Sequence, residues 1–514
     1  MKKLICLLIV VLLFAALLVS CTDDPDDKSK AEESKSTESV GSEAGVSDES
    51  DTSSQVVEDP YVDANGKYRI TNEIIDWESR EFGIIVRGTG AGTYQSDDFT
   101  YNSELYGDIL DKAVKERNDK IESLYNVKIK VYKSDVVGSD PIITDINQDI
   151  STGTHFYDAI MPSIPGLANL AREDKLIDLT EFEYIHLDAP WYDKDANNTF
   201  SVGYRLFFTT GDITILNKVC SGGILFNKQM IEYLNMDSPY TLVEEHKWTY
   251  EKMYQMAKQA TQDTDGEDGM SSNDTWGMLA SYNDALTFYG AAGQKLCLKD
   301  GDDNPILSFG NEETSFNIAQ KIITDMLEKD SWVIYAQNFE APIWETSLEA
   351  FKQGRVLFRP SAFSATTKLR KAGTDFGIVP NPLWSEDQDD YYTYCGTGEV
   401  AGIAIHKNVN DPEFSAYMVE AISCEAKNYI TPAYMEINLK GKDMQDEESL
   451  EMLKIIFNNI TYDTGEIYNF GGIKTLFANL VQNNNANLQS KFDEIEPSII
   501  DAIDKLVESY EFAG

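Results

Sequence analysis

The stretch GYRLFFTTGDITILNKVCSGGILFN, Gly203–Asn227, decides how the chain is divided. It holds two apolar, β-leaning runs, Tyr204–Thr209 and Ile213–Leu216, broken at Gly211-Asp212. A third run, Gly223–Phe226, precedes a helix expected to start near Lys228. Short apolar runs separated by Gly and Asp predict buried strands. A carboxylate at such a break either forms the turn or faces a cleft. The expectation is that the chain here crosses from one lobe to a second, with Asp212 at the groove between them.

Upstream, Phe82–Val86 (FGIIV) reads as a strand and Arg87–Thr93 as a glycine-rich loop. Leu105–Leu124 carries a helical apolar stripe, Asn126–Tyr132 a second strand and Ile142–Ser151 a helix. Asp158–Met161 is a third strand, and Leu167–Arg172 starts another helix. This alternation predicts a parallel sheet covered by helices. Ligands of such sheets sit at the carboxyl ends of the strands, here the loops Gly88–Tyr94 and Pro162–Gly166. The GxGxG within Gly88–Gly92 is not followed at once by a helix and lacks a ribose-binding acid downstream, so it reads as a permissive loop over a cleft and not as a dinucleotide site.

Downstream, Thr249 is an expected N-cap for a helix through Ala260. Helices are expected over Lys228–Asn235, Thr314–Lys329 and Leu348–Gln353, and strands at Val356–Phe358, Phe376–Val379 and Gly402–Ile405. A helix opens at Asp411-Pro412-Glu413 and runs to about Ser423; Leu450–Phe457, Ile473–Asn483 and Gln489–Glu508 close the chain.

At 514 residues the chain exceeds one ordinary core, so two or more lobes are expected. It carries 87 acids against 43 bases, a formal net charge of −44. Nucleic acid and anionic membrane surfaces are therefore poor partners, and a neutral or cationic solute fits better. Met1-Lys2-Lys3, the apolar run Leu4–Val19 and Ser20-Cys21 describe a secretory signal. Leu18-Val19-Ser20-Cys21 resembles the bacterial lipobox, which makes Cys21 the lipid-modified (palmitate-bearing) first residue of the mature protein. Thr22–Pro60 is rich in Ser, Asp and Glu with almost no large apolar residues, and reads as a flexible tether.

Cys220, Cys297, Cys395 and Cys424 are far apart in sequence, and their pairing is left open among three combinations, with free thiols as the alternative. Four histidines, none at metal spacing, argue against zinc. The acidic loop Asp263–Gly269 resembles a calcium loop, but its glycine is misplaced and the twelfth position is Asp274, so an ordinary turn is the reading and no metal or cofactor is expected.

The order of features resembles the extracellular solute-binding proteins of family 1, the maltose-binding-protein-like capture subunits of ABC importers. The resemblance is carried by the lipobox and tether, by Leu187-Asp188-Ala189-Pro190-Trp191-Tyr192 and by Leu225-Phe226-Asn227-Lys228. It continues in Trp248-Thr249-Tyr250-Glu251 with the Asp-Gly loop and Trp276-Gly277. Ala350–Arg355, Phe376–Pro380 and Ala401–Ile405 complete it. Cys220 and Cys395 depart from the family pattern. The resemblance implies an α/β, two-lobed, periplasmic-binding-protein-like fold (type II) with hinge crossings. It implies a signal peptide at 1–20, a lipidated Cys and tether at 21–61, lobe one at 62–211 with 397–439, and lobe two at 212–396 with 440–514.

It also implies a membrane-anchored, extracytoplasmic monomer that captures a solute, a sugar or oligosaccharide first, and delivers it to ABC permease subunits without catalysis. Matched positions give Thr89, Tyr94, Ser163, Asp212, Tyr282, Ser361, Phe363 and Phe470 as ligand-binding candidates, with Tyr468 beside them. Tyr394, Trp191, Trp344 and Trp384, candidates by composition and loop location, add aromatic faces that suit the CH-rich side of a sugar ring. The alternatives are an exported carbohydrate-active hydrolase, for which no carboxylate pair stands out, and a ligand-sensing lipoprotein for a non-sugar solute. A disulfide between Cys220 and Cys395 on neighbouring crossing strands is a further expectation.

Overall fold

In the computed structural model, residues 59–100, 106–135, 140, 142–328, 331–372, 375–439 and 447–512 are described. The expected signal peptide, Cys21 and the tether up to residue 58 lie outside them. Three strands, β1 (Arg80–Arg87), β2 (Val127–Ser134) and β3 (Ala159–Met161), form a parallel sheet in the order β2-β1-β3. The period-two pattern of β1 explains why it is central. Phe82, Ile84 and Val86 pack into one core while Ile85 packs into another, so both faces are covered. Helix α1 (Asp108–Tyr125) and the long helix α7 (Pro412–Leu439) pack together over the first face; α2 (Ile142–Thr152) and α3 (Ile164–Arg172) supply Ile142, Ile146, Ile164 and Leu167 to the second.

A second sheet contains β4 (Gly222–Asn227), β5 (Trp276–Ala280), β6 (Val333–Tyr335), β7 (Val356–Ala362) and β8 (Phe376–Val379) in the order β8-β4-β7-β5-β6. β4 is antiparallel to both neighbours; β7, β5 and β6 run parallel. Helix α4 (Tyr250–Ala260) is capped by Thr249, whose hydroxyl accepts the Lys252 N–H. It lies so close on β5 that a Cβ at Gly277 would sit 1.9 Å from the Ala257 carbonyl oxygen. Helix α8 (Glu447–Asn458) covers β8, and α9 (Ile473–Gln482) packs on α5 (Asp284–Ala291). The final helix α10 (Leu488–Phe512) touches both α9 and α3, tying the second sheet's layer to the first.

The stretch from Tyr204 departs from expectation. Neither Tyr204–Thr209 nor Ile213–Leu216 is a ladder strand; the first makes only isolated bridges, Val202 to Arg205 and Thr209 to Ile403. Ile213–Leu216 turns into a short helix, Leu216–Cys220, that feeds β4. Side chains have taken the donors that a ladder needs: Asp98 accepts the Ile215 N–H (2.7 Å) and Thr214 Oγ1 the Leu216 N–H (3.1 Å). Gly402–Ile405, also expected as a strand, is a run of single bridges from Ala401, Ile403 and Ala404 to Ser163, Thr209 and Ile160. A two-residue ladder, Thr393-Tyr394 against Ile460-Thr461, lies beside this crossing. Among the described residues no helix is long and apolar enough to cross a membrane.

Candidate functional site

Where β5, β7 and β6 end, and where the antiparallel β4 begins, the structure opens a cleft of about 540 Å³. That is within the ~300–1,000 Å³ of ordinary small-molecule sites. Ser281, Asp284 and Ala336 enter after β5 and β6, Arg359 and Ser361 from the end of β7, Gly222 from β4 and Asn381 after β8. The opposite wall is Thr93 and Tyr94, which follow β1 through the 3₁₀ turn Thr89–Tyr94. Gly92 inside that turn has φ +58, which lets the chain bend back toward the cleft. The site therefore lies at strand carboxyl ends for the same reason as in other open α/β sheets: the backbone leaves the ladder there and its loops are free to carry side chains.

Its polar groups range from buried, as Arg359, Asn381 and Tyr394 are, to exposed at the rim. The Arg359 guanidinium is 6% exposed; its Nη1 reaches Ser347 Oγ of α6 (Ile343–Lys352) at 3.4 Å, and its Nε has no partner. Burial lowers its pKa to about 10. Asp284, the first residue of α5, accepts the Ser281 N–H at 2.6 Å. Burial pushes its carboxyl up to about 7, against that hydrogen bond and the Arg359 charge, which pull it down. The Tyr394 hydroxyl is buried and unpartnered. Tyr94 is hydrogen-bonded through its hydroxyl to the Ser364 side chain on the other wall, and burial raises its pKa. Trp344 is 51% exposed, an aromatic face open at the rim, and Glu345 meets Lys368 at 3.7 Å beside it.

Of the residues expected to bind ligand, the structure brings Tyr94, Ser361, Tyr394 and Trp344 to this cleft. The others lie elsewhere. Thr89 turns to Asp135, donating from its N–H (2.8 Å) and hydroxyl (2.9 Å). Ser163 caps α3 by accepting the Gly166 N–H and donates to Asp140 at 2.7 Å. Tyr282 tilts against Tyr335 at 4.8 Å, Phe363 is 1% exposed against Phe457, and Phe470 stacks on Tyr468 at 5.5 Å. Trp191 is wholly buried with its Nε1 on Glu420, and Trp384 stacks on Tyr250.

Asp212 faces a different cavity, of about 500 Å³, formed with α7 and α8. It is 7% exposed and ion-paired to Lys218 (3.1 Å) and Lys427 (2.8 Å), with Thr431 donating at 2.6 Å. Burial alone would raise its pKa; the two lysines, with hydrogen bonds from Lys427 and Thr431, hold it below the usual carboxylate value. Its preceding Gly211 is required by a close approach, because a Cβ there would meet the Trp191 carbonyl oxygen at 2.3 Å. The four cysteines are free thiols. Cys220 ends a helix at the cleft wall and is not on a crossing strand, while the buried Cys395 thiol points to the Asn217 carbonyl at 3.7 Å.

In the acidic loop, carboxylate oxygens of Asp263, Asp265 and Asp274 lie within 4.8 Å of one another. Asp274 accepts the N–H groups of Thr264, Asp265 and Ser271, and Asp265 those of Glu267 and the Ser271 hydroxyl, so both act as turn formers. The residues that sequence reasoning missed are Arg359, Asp284, Asn381 and Thr93. Arg359 had a usable signal: a guanidinium directly after the apolar run Val356–Phe358 needs a reason to be there.

No curated protein matches the chain in sequence. Solved structures share its fold. A cyclo/maltodextrin-binding protein complexed with maltotetraose aligns with TM-score 0.53 and 15% identity over 85% of this chain and 99% of its own. The GacH receptor of Streptomyces glaucescens, solved unliganded and with acarbose, gives 0.51 and 13% over 84% and 100%. An ABC substrate-binding protein from Listeria monocytogenes, in complex with cycloalternan, gives 0.50 and 13% over 84% and 100%. These likenesses establish two lobes of the type II periplasmic-binding-protein fold. The sequence profile of bacterial extracellular solute-binding proteins matches residues 102–421, more than half of the chain, and the chain belongs to that family.

Proposed function

We propose that this protein is the capture subunit of an ABC importer, holding a sugar or oligosaccharide between its lobes. Lobe one is taken as 62–211 with 397–439 and lobe two as 212–396 with 440–514. The observation that carries the reading is the cleft itself, where Tyr94 and Thr93 face Asp284, Arg359 and Ser361 across about 540 Å³ with the half-exposed Trp344 ring at the rim. A hinged capture protein needs contacts from both sides, since only a ligand that touches both can favour the closed state. An aromatic face plus separated donors and acceptors is the chemistry of a polyol ring. The aligned relatives were solved with maltotetraose, acarbose and cycloalternan, all saccharides, which supports the same ligand class here.

The exported signal, the lipid on Cys21 and the acidic tether would hold this body at the extracytoplasmic face of the membrane within reach of permease subunits. Binding without turnover is part of the proposal. A thermal-shift screen of saccharides, peptides and polyamines tests it, because a ligand that binds only the folded form raises the melting temperature. A shift by saccharides alone is expected; a shift by peptides or polyamines alone would overturn the ligand class.

A further inference from the structure

We propose that the saccharide taken by this cleft carries a carboxylate, and that Arg359 is the specificity-determining residue that selects it. The proposal rests on the saccharide reading above and narrows it. Arg359 lies in register with Leu225 of β4, on a strand flanked on both sides in the five-stranded sheet. Arg359 is buried in the cleft wall, and its Nε has no partner. Its one bond is the long contact to the Ser347 hydroxyl. Among the described residues no carboxylate lies within ion-pair distance of it, and Asp284 acts on it only at longer range. A buried guanidinium without a directly paired anion costs stability, and that cost is offset when a ligand brings one.

The other charges of the cleft do not fill this role. Glu345 and Lys368 face each other, and Asp284 accepts the Ser281 N–H without forming an ion pair to Arg359. Burial pushes the Asp284 carboxyl up, which weakens it as a counter-charge to the arginine. The Tyr394 hydroxyl, buried and unpartnered in the same cleft, is a second group waiting for a ligand oxygen. A planar fork with free N–H donors matches a carboxylate in a way that a hydroxyl pair does not, since the two oxygens accept in parallel and carry the opposite charge. The net charge of −44, which favoured neutral or cationic solutes, belongs to the whole chain; the cleft itself is lined by Arg359 and Lys368 as well as by Asp284 and Glu345.

The test is calorimetric titration of the protein with a hexuronic acid disaccharide, its methyl ester, a neutral disaccharide and a sulfated disaccharide. The acid is expected to bind about 30-fold tighter than its ester, as a charge-assisted bidentate pair requires. R359Q is expected to erase that preference, so that acid and ester bind it alike. R359K keeps the charge without the fork and should retain part of the preference. The unliganded melting temperature of R359Q should match or exceed that of the parent, which a purely structural arginine would not allow.

Equal binding of acid and ester overturns the proposal and leaves the saccharide reading standing. So does selection of the neutral or the sulfated sugar. Binding of none of the saccharides, with a peptide or polyamine binding instead, overturns both.

Discussion

Asp212 illustrates how one residue's role follows from its neighbours. A carboxylate that neutralises two lysines and accepts from Thr431 in a space 7% exposed is a structural counter-ion. Asp212→Asn leaves the buried Lys218 and the partly buried Lys427 without their shared counter-ion, and a loss of about 3 kcal/mol is expected in urea unfolding. An unchanged unfolding midpoint would contradict that role. Trp344 should behave in the opposite way. Its ring is half exposed, so Trp344→Ala should alter stability by no more than ~0.5 kcal/mol while weakening saccharide binding about tenfold, or ~1.4 kcal/mol. The titration that measures both quantities separates a binding face from a packing residue.

Among the elements, those with an unbroken apolar period were legible from the residues. Phe82–Val86 and Asp158–Met161 became β1 and β3, because strands buried on both faces leave continuous apolar runs, while Asn126–Tyr132 became the edge strand β2, whose lysines alternate with its apolar residues. Tyr204–Leu216 has equally apolar runs yet forms no ladder. Asp98 is more than a hundred residues away, and no local pattern could announce that its carboxylate takes the Ile215 N–H. The cleft was legible by position for Tyr94, Ser361 and Tyr394, which follow strands or sit beside a crossing. Asp284 was not, since its environment comes from what surrounds it and not from its spacing; Arg359 left one local sign, a guanidinium directly after an apolar run. Close packing of elements gives its own prediction. Gly277→Ala would press α4 away from β5, costing about 1–3 kcal/mol, read as an earlier thermal transition; an unchanged transition would mean the helix can shift freely.

For the molecule as a whole, buried acids set the pH dependence. Burial raises Asp193 to about 6, Asp284 to about 7 and Asp463 to about 6, from 3.8. Each binds its proton more readily folded than unfolded, so the stability it contributes is complete below about pH 4 and fades as pH rises through 6 and 7. Asp274 works in the other direction: backbone N–H groups hold it at about 2, so its contribution exists above about pH 4 and is lost in acid. Asp212, held below its usual value by Lys218 and Lys427, adds to that acid loss. The melting temperature should therefore peak at about pH 4 and fall toward about pH 7, with Asp284→Asn flattening the fall. A melting temperature that climbs from pH 6 to pH 8 would contradict this balance.

The two-lobed architecture and the cleft meet in a single claim, that a saccharide is captured between Tyr94 and the ends of β5 and β7 and released intact. Calorimetric titration with a saccharide that raises the melting temperature, followed by chromatography of the recovered ligand, tests it most directly. Saturable binding of one saccharide per chain is expected, weakened by Trp344→Ala, with the sugar recovered unchanged. Hydrolysed sugar, or binding indifferent to both Trp344→Ala and Arg359→Gln, would contradict it.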